Sequence, residues 1–179
     1  MRHRYMAVLV YLLLGIVSSV QAQSPAMDHS FRQVLTSLPA VPGTSAAETE
    51  SLDGRPLLIT FFASWCPPCL EEFSHLNKLY EKYQNSDLRI VAINVYEAWD
   101  ENDKARMQKF IDHTGPRFPA LVGSERIRGM FGGIDRIPTV YGFDRDGALV
   151  YEFVHKRGSS KTNATFDELD DAVSLLLNQ

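Results

Sequence analysis

The chain has two cysteines, Cys66 and Cys69, in the sequence Trp65-Cys66-Pro67-Pro68-Cys69. A disulfide between them would close so small a ring that it would restrain the unfolded chain very little, because that stabilisation grows with loop length. Two thiols at this spacing can instead exchange a disulfide with another molecule or supply two ligands to a metal ion. The pair is therefore better explained by chemistry than by a structural role.

The surrounding residues predict that the pair lies between a strand and a helix. Residues 56–62 form a continuous apolar run with β-branched and aromatic members, which is typical of a strand buried on both faces. From residue 67 to about residue 83, apolar side chains recur every three or four positions, which predicts an amphipathic helix. Cys66 would then be the residue that caps the start of this helix.

The position of Cys66 at the start of a helix predicts the reactivity of its thiol. Free backbone N–H groups and the helix dipole favour a thiolate over a thiol there. Pro67 and Pro68 would occupy the first two helical positions, and since neither has an N–H, we expect the pKa of Cys66 to be lowered moderately. Cys69, one turn further, faces inward. Cys66 is thus predicted to be the nucleophile, with an outward-facing sulfur, and Cys69 the buried thiol that resolves its mixed disulfides.

Metal binding is the main alternative for the two thiols. A zinc site needs four protein ligands, or three and a water molecule. None of the histidines at 29, 75, 113 and 155 has ligand-like spacing to the cysteines. The joint occurrence of strand, Trp65, cysteine pair and helix favours redox chemistry and no metal. A copper or zinc chaperone that adds a third ligand such as His155 stays an alternative.

The rest of the pattern predicts an α/β fold. We expect a second buried strand over 88–95, a charged helix over about 101–113, a short strand near 118–122 and a brief helix over 124–131. A hairpin of 139–143 and 148–153 follows, and a capping box at 165–168 begins a last helix. This order resembles the thioredoxin fold, a mixed β-sheet flanked by helices.

The N-terminal residues predict export. Residues 1–22 combine a positive start, a short apolar core and small residues ending at Ala22, as a secretory signal peptide does. An uncleaved anchor is the alternative, although the apolar run is shorter than the ~20 residues that cross a bilayer. We expect an exported protein, periplasmic in a Gram-negative source. Residues 23–45 would form an extension with one short helix behind Asp28, and residues 46–179 the thioredoxin-like domain.

Charge excludes one class of partner. The 179 residues include 18 Lys and Arg and 22 Asp and Glu, a formal net charge of −4. Because nucleic acid is bound chiefly through clustered positive charge, it is not an expected partner.

Residues 61–73, Phe-Phe-Ala-Ser-Trp-Cys-Pro-Pro-Cys-Leu-Glu-Glu-Phe, resemble the TlpA-like branch of the thioredoxin superfamily. The resemblance extends with decreasing strength over about residues 50–178. It implies a protein-disulfide reductase whose only redox group is the Cys66–Cys69 disulfide, with no added cofactor. It also implies protein disulfides as substrates, a membrane electron donor and cytochrome c biogenesis as a frequent task. We expect a monomer.

The resemblance also assigns the substrate-binding residues. It makes Pro138 a cis-proline against the active-site disulfide, and a proline directly before a strand is compatible with that role. The backbone of Ile137 would pair with an extended substrate, and Trp65 would belong to an apolar rim. Pro67 and Pro68 complete the predicted substrate-binding surface.

Glu72, three residues after Cys69, matches a carboxylate that these reductases place near the cysteines. Its i, i+3 spacing puts it on the same side of the helix as Cys69, and we expect a catalytic, redox-tuning role. The chain departs from its relatives at Thr60, where thioredoxin has a buried aspartate, and at Arg136, where many relatives have glycine. A thiol peroxidase, the other alternative, would carry threonine at the position of Ala63.

Overall fold

The computed structural model describes residues 27–47 and 52–178. Its centre is a five-stranded sheet in the order β3-β2-β1-β4-β5. The first three strands run parallel, whereas β4 is antiparallel to β1 and β5 is antiparallel to β4. The strands are β1 Leu57–Phe62, β2 Arg89–Asn94, β3 Ala120–Val122, β4 Thr139–Phe143 and β5 Leu149–Val154. The predicted mixed sheet is confirmed. The predicted signal peptide, residues 1–22, lies outside the described residues.

Helices cover the sheet in the predicted order. They are α1 His29–Ser37, α2 Pro67–Lys82, α3 Glu101–Thr114, α4 Glu125–Met130 and α5 Phe166–Leu177. Helix α2 packs against α3 and α5, and α5 also packs on β4 and β5. None of the helices in the described part of the chain is long and apolar enough to span a membrane.

Local sequence explains where these elements begin. All six residues of β1 are buried, as the continuous apolar run predicts for a central strand. The predicted capping box of α5 is present, because Thr165 Oγ1 accepts from the Glu168 N–H and the Glu168 carboxylate accepts from the Thr165 N–H. Asp100 caps α3 in the same way through the Asp103 N–H, and Asp28 caps α1 through the Phe31 N–H.

Residues 27–47 pack on the sheet and share its hydrophobic core. The Met27 N–H donates to the Gly147 carbonyl at 2.8 Å, and a Cβ at Gly147 would lie 2.3 Å from the Met27 carbonyl oxygen. Ala40 forms an isolated bridge with Leu121 of β3. The ring of Phe31 meets that of Phe131 edge-on at 4.9 Å. The predicted boundary between an extension and a domain at residues 45 and 46 stays a prediction.

The sheet register gathers the site at one edge. Phe61 of β1 pairs with Ile93 of β2 on one side and with Thr139 of β4 on the other. The end of β1, the end of β2 and the start of β4 therefore lie side by side. The connections that leave or enter the sheet here are residues 63–66, 95–100 and 131–138, and they carry the candidate active site.

Candidate active site

A disulfide joins Cys66 and Cys69 at the start of α2. Cys66 caps the helix with an extended backbone, and the two prolines occupy the first two helical positions, as predicted. The Cys69 N–H donates to the Cys66 carbonyl oxygen at 3.1 Å. The first N–H after the two prolines is thus bonded to the backbone and not to the Cys66 sulfur.

The two cysteines differ little in exposure. Cys66 is 3% exposed and Cys69 is 0% exposed. Cys66 is therefore far more covered than the predicted outward-facing sulfur required. In the disulfide the Cys66 sulfur is bonded to the sulfur of the fully buried Cys69, so the two sulfur atoms lie together in a covered position. That Cys66 and not Cys69 is the nucleophile stays a prediction.

Glu72 is a fully buried carboxyl group beneath the disulfide-bearing turn of α2. Its exposed fraction is 0%, and Thr60 of β1 donates its hydroxyl proton to Oε1. The other oxygen, Oε2, has no hydrogen-bond partner among the described residues. Loss of hydration raises the pKa of Glu72 to about 8, and the Thr60 hydrogen bond opposes that rise. Glu72 is thus mostly protonated at pH 7.

The contact between Thr60 and Glu72 links two features that the sequence presented separately. Thr60 stands where thioredoxin has a buried aspartate, and here it touches the carboxyl group that α2 supplies. The spacing of three residues on α2 leaves Glu72 and Cys69 on one side of the helix, and both are buried. The helix, and not the strand, therefore supplies the buried acid Glu72.

The peptide bond between Ile137 and Pro138 is cis, as predicted. Because Thr139 pairs with Phe61, Pro138 lies opposite the end of β1, just before the connection to Cys66. Ile137 and Pro138 are both buried. The Nδ1 atom of His155 lies 3.0 Å from the Ile137 carbonyl oxygen. His155, which the metal alternative needed as a third ligand, thus contacts the backbone beside Pro138.

Two exposed aromatic side chains border the cysteines. Trp65 is 49% exposed and Tyr96 is 40% exposed, and the Trp65 indole N–H lies 3.5 Å from the Tyr96 carbonyl oxygen. The guanidinium of Arg128 lies over the Tyr96 ring at 4.7 Å. Sequence reasoning found Trp65 and missed Tyr96. The available signal was an aromatic residue two positions after the end of the buried strand β2.

The described residues also bear on the two alternatives. Among residues 27–47 and 52–178, no three His, Cys, Asp or Glu side chains lie together as metal ligands would. At the position where a thiol peroxidase would carry threonine, Ala63 offers only its backbone, and its carbonyl oxygen accepts from the Cys66 N–H at 3.2 Å. Within the described part of the chain, no contact at the site favours either alternative.

Fold and site together define a thioredoxin-fold protein with a cysteine pair at the junction of its central strand and the following helix. The sequence profile of the Redoxin family matches residues 23–172. The chain belongs to this family.

Curated relatives include the thiol-disulfide oxidoreductase ResA of Bacillus anthracis, which is 31% identical over 108 residues. That match covers 60% of this chain and 59% of the relative, so the chain spans about six-tenths of the relative's length. ResA of Bacillus subtilis is 26% identical, over 58% of this chain and 55% of its own length.

Solved structures support the fold. A secreted Mycobacterium tuberculosis disulfide oxidoreductase, homologous to Escherichia coli DsbE, superposes with a TM-score of 0.62 at 21% identity. The match covers 78% of this chain and 94% of that protein. A thiol-disulfide isomerase from Corynebacterium glutamicum gives a TM-score of 0.63 at 19% identity, covering 81% of this chain and 96% of its own. The predicted thioredoxin fold is confirmed.

Proposed function

We propose that this protein is an exported thiol–disulfide oxidoreductase that reduces disulfides in other proteins. The observation that carries the proposal is the Cys66–Cys69 disulfide between the capping residue of α2 and a fully buried position one turn further. Such a pair can cycle between dithiol and disulfide without rearranging the fold. The names of the ResA relatives support the same reaction class.

The reaction proceeds through two disulfide exchanges. The Cys66 thiolate attacks one sulfur of the substrate disulfide, and the other substrate sulfur leaves as a thiolate. The Cys69 thiolate then attacks the Cys66 sulfur of this mixed disulfide and expels the second substrate thiolate. Two electrons have passed to the substrate, and the Cys66–Cys69 disulfide remains. A membrane electron donor returns the pair to the dithiol.

Glu72 holds the proton that this cycle must move near the buried cysteine. Cys69 reacts as a thiolate, so its proton has to leave the thiol before the second exchange. The carboxylate form of Glu72, the minor form at pH 7 because its pKa is about 8, can accept that proton, and the carboxyl group that results can return it later in the cycle. We assign Glu72 the redox-tuning role, with Thr60 orienting its carboxyl group.

The substrate surface combines the exposed aromatic rim with the segment before β4. Trp65 supplies apolar area beside Cys66, and Pro67 and Pro68 form the adjoining start of α2. Ile137 offers its backbone to an extended substrate beside Pro138. Protein disulfides fit this surface because the rim extends beyond the reacting sulfur atoms.

The compartment and the partners follow from the N-terminal sequence and from relatives. Residues 1–22 have the layout of a signal peptide, and a similar structure comes from a protein described as secreted. Export places the protein where substrate disulfides form, periplasmic in a Gram-negative source. Cytochrome c biogenesis is the task we assign, with the protein acting as a monomer.

The reduction potential of the Cys66–Cys69 couple tests the direction of electron flow. We expect a value nearer that of thioredoxin, about −270 mV, than that of the strong oxidant DsbA, about −120 mV. The reason is that Pro67 and Pro68 offer no N–H to the Cys66 sulfur, and the Cys69 N–H is bonded to a carbonyl oxygen. Equilibration with glutathione and dithiothreitol buffers measures it.

A matched variant sharpens this measurement. Pro68→Ala restores an N–H at the second helical position, which should stabilise the thiolate and move the potential towards that of an oxidant. A wild-type value near that of DsbA would contradict the reductase proposal.

Replacing Trp65 tests the substrate surface. Trp65→Ala should lower kcat/KM for a protein disulfide such as that of insulin by roughly tenfold, since exposed aromatic anchors dominate such contacts. The rate with the small oxidised glutathione should stay nearly unchanged, because that disulfide reaches only the sulfur atoms. Leu175→Ala is the control, since Leu175 is 54% exposed on α5 and lies outside this rim. Equal losses with both substrates would show that Trp65 acts on Cys66 itself.

A further inference from the structure

The turn between β1 and α2, which carries Cys66, is held by hydrogen bonds from another connection of the fold. Its four residues are 63–66, and the Cys66 N–H donates to the Ala63 carbonyl oxygen at 3.2 Å. Ser64, which follows Ala63, donates its backbone N–H to Oε1 of Glu97 at 2.8 Å, and its hydroxyl group donates to the same oxygen. A carboxylate from the β2–α3 connection therefore binds the centre of the turn.

The Ser64 hydroxyl group also receives a hydrogen bond. Arg106 of α3 donates its Nε–H to Ser64 Oγ at 2.9 Å. The same guanidinium pairs with Asp103. The Ser64 oxygen is thus a bridge between a cation and an anion, which strengthens both hydrogen bonds.

Asp103 closes the arrangement. Its Oδ2 accepts from the backbone N–H of Ala98 at 2.6 Å and from that of Trp99 at 3.1 Å, so it holds the connection that carries Glu97. Four side chains hence tie the turn after β1, the β2–α3 connection and α3 together: Ser64, Glu97, Asp103 and Arg106. We call these four residues the clasp.

The backbone around Glu97 is held in an unfavourable conformation. Tyr96 has φ 67° and Trp99 has φ 59°, in the left-handed region that residues other than glycine rarely adopt. Such conformations are strained and persist only where the surroundings enforce them. Glu97 also leaves its buried Oε2 without a partner among the described residues. The segment that brings Glu97 to the turn thus combines a strained backbone with an unpaired buried oxygen, and both are energetically unfavourable.

The geometry points to Glu97 as a positioning residue that, through Ser64, holds Cys66 where it can react. This inference rests on the proposed function only in naming Cys66 as the reacting group. Small displacements of a reacting atom slow reactions strongly, by as much as 10²-fold for about 1 Å. A turn released from Glu97 keeps the bond between residues 66 and 63, the Trp65 contact and the Arg106 hydrogen bond to Ser64 Oγ. It loses both hydrogen bonds that Ser64 donates to Glu97.

Alkylation by iodoacetamide measures the reactivity of Cys66 directly. The full chain is used in a Cys69→Ser background, so that Cys66 is its one cysteine, and rates are recorded from pH 5 to pH 9. Glu97→Ala should lower the pH-independent rate of the Cys66 thiolate roughly tenfold. Glu97→Gln keeps an oxygen that accepts both Ser64 hydrogen bonds and should restore the rate to within about threefold of the parent. Ser64→Ala, which keeps the backbone bond, should fall between them.

Glu101→Ala is the matched control. Glu101 is an exposed acid at the start of α3 whose carboxylate pairs with Lys104, which is not a residue of the clasp. The alkylation rate of Cys66 in the Glu101→Ala variant should equal that in the parent. Thermal unfolding of every variant shows whether it is folded at the assay temperature.

Two results would overturn the inference. One is a Glu97→Ala protein that unfolds at lower temperature but keeps the parental rate, since the contact is then structural only. The other is a Glu97→Gln protein as slow as Glu97→Ala, since hydrogen bonding to Ser64 is then not the cause. Should Glu97→Ala fail to fold, Ser64→Ala decides, and its parental rate would equally overturn the inference. The reductase proposal would fail separately, if the wild-type protein did not reduce insulin although Cys66 alkylated as expected.

Discussion

Cys66→Ser is expected to abolish insulin reduction, whereas Cys69→Ser should retain the first exchange and accumulate mixed disulfides with its substrates. Cys66 starts each cycle, so its loss should lower the turnover rate by at least about 10³-fold. Without Cys69, the mixed disulfide at Cys66 has no internal thiol to resolve it. Non-reducing electrophoresis followed by mass spectrometry of the trapped species measures both outcomes.

The two variants control for each other, because each replaces one sulfur by oxygen at nearly the same volume. The expected asymmetry follows from position: Cys66 caps α2 and keeps 3% exposure, while Cys69 is 0% exposed. Trapped substrates in the Cys66→Ser protein, and none in the Cys69→Ser protein, would reverse the assignment. Trapping in neither protein, together with full turnover in one of them, would exclude a two-cysteine mechanism.

Glu72→Gln is expected to stabilise the oxidised protein progressively as the pH rises. The pKa of Glu72 is about 8 in the folded protein against an ordinary value of 4.5, so the folded state binds more protons between these values. The free energy of unfolding of the wild type therefore falls as the pH rises from 4.5 to 8. The full cost of ionising the buried carboxyl group, about 5 kcal/mol at 1.36 kcal/mol per pKa unit, is reached above pH 8.

Urea unfolding of the oxidised protein at pH 5, 7 and 9 measures this effect. The Gln variant lacks the ionisation, so its advantage should be small at pH 5 and several kcal/mol at pH 9. Glu71→Gln is the matched control, since Glu71 is exposed on the same helix. In a protein that keeps Glu72, Thr60→Val should make the free energy of unfolding fall more steeply as the pH rises. The reason is that the Thr60 hydrogen bond favours the carboxylate. Parallel profiles for Glu72→Gln and the wild type would contradict a raised pKa.

The titration of Glu72 should also affect how the rate of insulin reduction depends on pH. If Glu72 stores the proton of Cys69, the pH dependence of insulin reduction should lose a step near pH 8 in Glu72→Gln. The cysteines remain in this variant, so a residual activity is expected and its pH profile can be recorded.

Much of the fold was predictable because its information is local. The apolar run of β1, the three-and-four spacing of α2 and the capping box of α5 each lie within one short segment. The capping place of Cys66 follows from that strand and helix alone. The cis bond before Pro138 was predicted from family resemblance, because a single sequence carries no local signal that distinguishes it from trans.

Contacts between distant segments could not be predicted in this way. The burial of Cys66 depends on the disulfide and its surroundings, and the raised pKa of Glu72 depends on how completely α2 is covered. The partner of Glu72 is Thr60, twelve residues away on β1, and its contact requires that α2 pack on that strand.

By itself, the sequence determined the elements, their order and the cysteine pair at the start of α2, since periodicity and caps act over a few residues. Only the tertiary structure decided which side chains surround that pair. Glu97 reaches Ser64 across 33 positions because β1 and β2 are parallel neighbours whose ends lie together. Burial, hydrogen bonding and the pKa of an acid depend on such neighbours, so they exist only after the chain has folded.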